Sequence, residues 1–259
     1  MLFSVNKKRV NLCARRACVI CVYSPPRLII KYFIEVIRTS VGVFQIIGPV
    51  MVGPSSSHTA GAARLGYIAR RICGEEPVKV DFFLHGSFAR TWKGHGTGKA
   101  LLGGIMGMGP DDERIKESFN YAAQAGLEYN FHTADLGDVH PNSVKITMQT
   151  ADGRIREMLG SSIGGGKVLV SSINGMEIEF SGEYPTIITR HRDQPGVVAR
   201  VTEIVSQYDI NIAFLKVFRT SRGSDASMVI ECDHKAPVQL LDEIKALKVV
   251  KEVMFIDPA

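Results

Sequence analysis

The sequence predicts an α+β fold in two parts: a mixed α/β body over residues 41–183 and a smaller βαββαβ unit over residues 185–259. Three observations carry this reading. The 259 residues are 45% hydrophobic and 22% charged, enough apolar surface to bury a core without disulfide or metal staples. Apolar stripes at helical spacing alternate along the chain with short β-branched runs. A turn-rich stretch, Ser181-Gly182-Glu183-Tyr184-Pro185, follows an alternating run and divides the two parts. The 25 Gly and 11 Pro show no period, which excludes a collagen-like chain. The apolar fraction excludes intrinsic disorder of the whole.

Charge and cysteine set the first forty residues apart. Lys7, Lys8, Arg9, Arg15, Arg16, Arg27, Lys31 and Arg38 stand there against Glu35 alone, a net +7 against +5 for the whole chain, so residues 41–259 carry −2. The body therefore has no excess of basic charge for a nucleic-acid partner. Cys13, Cys18 and Cys21 lie in the same stretch, while Cys73 and Cys232 are isolated. An odd, scattered set is not a secreted disulfide framework, and a cytoplasmic location is expected. The apolar run Cys18–Tyr23 is too short for a signal peptide. Lys31, Glu35 and Arg38 interrupt the apolar residues 28–52, so no membrane span is expected. Cys13-x4-Cys18-x2-Cys21 matches the plant-type ferredoxin spacing for three cluster ligands but has no fourth Cys nearby. Residues 1–40 are read instead as a basic leader outside the fold, disordered or upstream of the true start.

In the body, the strongest feature is Gly48-Pro49-Val50-Met51-Val52-Gly53-Pro54-Ser55-Ser56-Ser57-His58-Thr59-Ala60-Gly61. A helix follows, with Leu65, Ile68, Ala69 and Ile72 as its stripe and Gly74 as its stop. The motif is placed on a loop feeding the helix N-terminus. There Ser55, Ser56, Ser57 and Thr59 supply hydroxyls and the helix end supplies unpaired N–H groups, an arrangement suited to a carboxylate or phosphate, with the His58 imidazole in its midst. The small residues Ala60–Ala63 require a close neighbour against the first turn. Three further histidines end or begin elements: His85-Gly86-Ser87 after the strand Val78–Leu84, Gly94-His95-Gly96-Thr97-Gly98 before a helix around Ala100–Met106, and Asp138-Val139-His140-Pro141-Asn142 before the strand Ser143–Thr150. Ser161–Lys167 lacks Walker spacing and is read as a flexible link between strands.

The C-terminal unit is read in the same way. Thr186–His191 is a strand. Asp193-Gln194-Pro195-Gly196 opens a helix, with Asp193 as the expected N-cap and Pro195 in the first turn. Val197, Val198, Val201, Ile204, Val205 and Tyr208 form its stripe. Asn211–Thr220 and Ala226–Cys232 are strands joined by Ser221–Ser224. Pro237 starts a second helix with the stripe Val238, Leu241, Ile244 and Leu247, and Val249–Ile256 is the last strand. The order is the ferredoxin-like split βαββαβ unit. Through Arg192–Val197 and Asn211-Ile212 this unit resembles the ACT family of amino-acid-sensing modules. That resemblance implies ligand binding by Asp193, Gly196, Val197 and Asn211, and dimerisation through the ACT unit.

Taken together, Gly53–Thr59, His85-Gly86-Ser87, Gly94–Thr97, His140-Pro141-Asn142 and the C-terminal module resemble the β subunits of iron–sulfur-dependent L-serine dehydratases, over about residues 43–259. Gly98-Lys99 departs from the acidic-basic pair expected there. The resemblance implies a first domain like the allosteric-substrate-binding domain of some phosphoglycerate dehydrogenases, followed by ACT. It further implies deamination of L-serine to pyruvate and ammonia, with a [4Fe–4S] cluster ligated by a separate α subunit and not by this chain. A Lewis-acid iron can hold the serine carboxylate and hydroxyl, and the protein must then supply a base, for which histidine is the natural choice. Under this reading His58, His85 and His140 are the catalytic candidates. Ser55, Ser56, Ser57, Thr59, Ser87 and Asn142 bind substrate, and no residue of residues 41–259 ligates metal, since Cys73 and Cys232 are too few. The alternative from another class is a non-catalytic amino-acid sensor; a ferredoxin-like carrier using Cys13, Cys18 and Cys21 is the third.

Overall fold

The computed structural model describes residues 50–259. The leader with its three cysteines and the Gly48-Pro49 start of the hydroxyl-rich stretch lie outside the described residues. One turn of π-helix, Ser56–Ala60, runs directly into α1, Gly61–Cys73. The hydroxyl motif is therefore not a loop ahead of a helix. Ser55 is the cap and Ser56–Thr59 make a widened first turn, closed by Gly61 N–H donating to the Ser56 carbonyl. Leu65, Ile68, Ala69 and Ile72 are buried as the spacing requires, and Gly74 ends α1 in the left-handed region at φ 80°.

Then follow β1 (Pro77–Leu84), α2 (Gly86–Thr91), α3 (Thr97–Ile105), a 3-10 turn (Glu113–Glu117), α4 (Ser118–Gln124), β2 (Glu128–Thr133), β3 (Ser143–Thr150), β4 (Ile155–Gly164), β5 (Lys167–Ile173) and β6 (Met176–Phe180). They form a six-stranded sheet in the order β2-β1-β3-β4-β5-β6. Only the β1–β2 pair is parallel; the rest is antiparallel. Val80, Phe82 and Leu84 point into the core, and the intervening Asp81 and Phe83 are half-exposed. The Ser161–Lys167 run is the β4–β5 hairpin, turned at Gly165-Gly166 with φ 61° and 78°.

Two helix contacts position the site. A Cβ on Gly66 would lie 2.2 Å from the Leu101 carbonyl oxygen, and one on Gly104 would lie 2.1 Å from that of Ala63. The α1 and α3 backbones therefore touch, which brings the start of α1 and the residues leading into α3 together. The close neighbour that the small residues at the start of α1 require is Ser162 of β4: a Cβ on Gly61 would lie 2.1 Å from its Oγ. Gly61→Ala is expected to destabilise the chain by about 1–3 kcal/mol through overpacking. Ser162→Gly in the same chain should recover most of that loss in urea unfolding, and a double variant as weak as the single one would refute the contact.

The C-terminal unit comprises β7 (Thr186–Arg192), α5 (Val197–Gln207), β8 (Ile212–Arg219), β9 (Asp225–Cys232), α6 (Val238–Ala246) and β10 (Val250–Ile256). Its antiparallel sheet has the order β10-β7-β9-β8, the ferredoxin-like arrangement expected for an ACT unit. Ile187, Met228 and Ile230 meet Val201, Val205, Leu240 and Ile244 of the two helices in one core. Two local expectations need correction. Asp193 does not cap α5; Gly196 does, at φ 87°, because the Asp193 carboxylate is drawn to the β8–β9 turn. Val238 is 67% exposed, and the buried stripe of α6 is Leu240 and Ile244.

The helix-free face of this sheet joins the first core. Ile188, Val229 and Ile256 are buried in the same cluster as Ile68, Val168 and Phe180. Arg156 and Glu252 pair at 2.8 Å across the junction. Among the described residues no helix is long and apolar enough to cross a membrane.

Candidate active site

His58 stands in the π-turn, half-buried, with both ring nitrogens engaged. Its Nδ1 lies 3.1 Å from Ser57 Oγ and 3.4 Å from Ser55 Oγ, and its Nε2 lies 3.0 Å from Ser87 Oγ. Ser55 Oγ also accepts the His58 backbone N–H at 3.3 Å, which fixes the turn. A hydroxyl both donates and accepts, so either neutral tautomer of His58 is satisfied without moving a heavy atom. The ring sits edge-on to Phe88 at 5.4 Å and to His95 at 5.2 Å.

Ser87 reaches His58 because the His140–Asn142 turn holds it there. Gly86 adopts φ 54°, and a Cβ on it would lie 2.6 Å from the Pro141 carbonyl oxygen. That same carbonyl accepts the Ser87 N–H at 2.7 Å. The Asn142 carbonyl in turn accepts Ser162 N–H at 2.9 Å and ties the turn to β4. The three segments are thus joined through backbone bonds, and only Ser87 offers its side chain to His58.

Of the candidate residues, Ser55, Ser57, His58 and Ser87 form one bonded cluster. Ser56 is half-buried in the same turn, and Thr59 is buried with its hydroxyl unpartnered among the described residues. His85 and His140 are not partners of His58. His85 Nδ1 accepts the Leu136 N–H at 3.2 Å, with Asp135 at 3.7 Å; His140 is exposed, and its Nδ1 accepts the Asn142 N–H at 3.1 Å. Each of these rings holds a loop backbone in place. The ring that meets His58 is His95, whose Gly-His-Gly-Thr setting is the one signal in the sequence that marks it.

Burial, and after it the neighbouring His95, hold the His58 imidazole below its ordinary pKa. His58 therefore stays neutral at pH 7 and can accept a proton. The sign follows directly. A histidine with a lowered pKa charges only when pH falls through that lower value, so a reaction needing neutral His58 loses rate below about pH 6.5, not at it. His95→Asn removes one of the two causes and should move the acid limb of kcat/KM to higher pH. An unmoved limb would dissociate His95 from this effect.

The ACT candidates are not gathered in one place. Asp193 accepts Arg219 Nη1 at 2.9 Å and Gly223 N–H at 3.0 Å, at one end of β8. Asn211 donates to Asp233 at 2.7 Å, at the other end. Gly196 leaves open space where a Cβ would stand, and Val197 is buried.

The structure defines a class: an α/β domain with a serine-braced imidazole at a helix start, joined to an ACT unit. Family models agree at both ends, "Serine dehydratase beta chain" over residues 42–128 and "ACT domain" over residues 186–249. The chain is 43% identical over 211 residues to the probable L-serine dehydratase β chain of Bacillus subtilis (strain 168), covering 82% of this chain and 96% of the relative. It is 47% identical over 196 residues to the L-serine dehydratase β chain of Peptoniphilus asaccharolyticus, covering 75% and 88%. A D-3-phosphoglycerate dehydrogenase of Methanocaldococcus jannaschii is 31% identical over 116 residues, 45% of this chain and 22% of that one. The chain belongs to the L-serine dehydratase β-chain family.

Proposed function

We propose that this chain works with an iron–sulfur α subunit to convert L-serine to pyruvate and ammonia. The observation that carries the reading is the His58 ring held between Ser57 and Ser87, next to His95. In the reaction His58 takes the α-proton of L-serine, the Cα–H electrons form the Cα–Cβ double bond, and the β-hydroxyl departs as water with the proton returned from the imidazolium. The resulting aminoacrylate tautomerises to the imine, and water hydrolyses it to pyruvate and ammonia. Nε2 exchanges its Ser87 contact for the α-proton while Ser57 on Nδ1 keeps the ring oriented, and Ser55 with Ser56 and Thr59 shape the turn that faces the zwitterion.

The described residues of this chain do not fit a [4Fe–4S] cluster. Cys73 and Cys232 are buried in different cores, burial pushes the Cys73 thiol up and the Cys232 thiol up to about 11, and no group of three or more potential ligands occurs among the described residues. In this reading the cluster is ligated by the α subunit. The ACT unit is read as amino-acid-responsive and dimerising; with Asp193 and Asn211 at opposite ends of β8, a pocket using both would draw them from two copies. Cytoplasmic residence accords with this metabolic role.

The test is purification of the full chain alone and together with a Cys-rich α subunit under argon. The pair should show cluster absorbance and form pyruvate from L-serine, and the single chain should show neither. Turnover by the single chain would contradict the division of labour.

A further inference from the structure

We propose that the cavity beside His95, at the start of α3, is a pocket for the carboxylate of the hydroxy amino acid, with Lys99 and the uncapped start of α3 as its anchors. This rests on the dehydratase reading for the identity of the acid, but not for the existence of the pocket. The cavity measures about 230 Å³ and is walled by Gly53, Pro54 and Thr59 on one side and His95, Gly96 and Lys99 on the other. That is room for a few-carbon acid and little more. His95 lines it and is also the ring against His58, so the cavity adjoins the proton-handling cluster.

Three independent features give it anion chemistry. The nine-residue α3 begins at Thr97 with no side-chain cap and no acidic residue in its first turn, so the positive end of its dipole is uncompensated. Thr59, 2% exposed, lines the opposite wall, and among the described residues its hydroxyl has no hydrogen-bond partner. Buried hydroxyls are ordinarily satisfied, and an orphan in the wall facing a helix start marks a place where a ligand oxygen is missing. Among the described residues the lining holds Lys99 and Lys116 and no carboxylate. Lys99 Nζ donates once, to the Lys116 carbonyl at 2.6 Å, and an ammonium has two more protons to give. The lysines favour a carboxylate over a metal cation. Gly94 and Gly96, on either side of His95, leave the backbone open to close approach.

This relocates the acid group. The Ser55 and Ser57 hydroxyls hold His58 and not the substrate's charge, and the carboxylate is gripped between Thr59 and the start of α3.

The experiment is amide NMR of the full chain titrated with L-serine, with glycolate, and with serinol, which keeps the amine and hydroxyls but lacks the carboxylate. L-Serine and glycolate should saturably shift the Thr97, Gly98 and Lys99 amides and serinol should not. Lys99→Met should weaken the response at least tenfold, with Lys99→Arg retaining most of it as a check on folding. In the assembled enzyme Lys99→Met should raise KM for L-serine at least tenfold, with the smaller part of the loss in kcat. Equal shifts with serinol, shifts by inorganic chloride at the same concentration, or an unchanged KM in Lys99→Met would overturn the proposal. Carboxylate-dependent shifts in a chain whose complex makes no pyruvate would keep the pocket and remove the dehydratase reading.

Discussion

His58→Ala is expected to reduce pyruvate formation by the assembled enzyme by about 10²–10⁴-fold, the range for loss of a positioned general base. In the proposed role His58 acts on the α-proton and does not hold the carboxylate, so the loss should fall on kcat. Ser87→Ala should cost less. It removes one of the hydroxyls on the ring and leaves Ser57 on Nδ1. His85→Ala and His140→Ala act through the loops that they brace, so their effect should appear in stability as well as rate. His58→Ala turnover above a few per cent of the wild-type rate, in a complex that still forms, would remove His58 from the base role.

Gly104→Val is expected to be the most damaging single change outside the site. Its Cβ would stand 2.1 Å from the Ala63 carbonyl oxygen and 2.6 Å from the Tyr67 nitrogen, both backbone atoms that cannot rotate away. The helices must separate, at about 1–3 kcal/mol or more, with a further few tenths for a β-branched residue inside a helix. The same separation moves His95 from His58, so activity should fall even where the chain remains folded. Urea unfolding followed by far-ultraviolet circular dichroism measures the first effect. A change below about 0.5 kcal/mol would mean that the α1–α3 contact tolerates adjustment and does not set the site geometry.

Much of this architecture is legible in the sequence because local rules and tertiary packing agree. The stripe on α1, its Gly74 stop and all four strands of the C-terminal unit follow from periodicity and turn residues. Other features depend on partners far along the chain. The β2 strand, Glu128–Thr133, lies at the sheet edge with only Tyr129 and Phe131 partly buried; its six-residue alternation is too short to name a partner, and its register comes from β1. Asp193 looks like a helix cap, but Arg219 and the Gly223 N–H, some 30 residues on, hold its carboxylate. The hydroxyl-rich turn is evident as a site from composition, yet which histidine would join it is not. His58 meets Ser87 because Pro141 bonds the Ser87 backbone, and it meets His95 because Gly66 and Gly104 let two helices touch.

The most direct test is a titration of this chain into a fixed amount of purified α subunit under argon, with pyruvate release from L-serine followed throughout. Without this chain the rate should be at background, and it should climb to a plateau as the two associate, with His58→Ala chain giving association but almost no rise. An α subunit that reaches the plateau rate unaided would contradict the claim that proton handling resides in the His58 cluster.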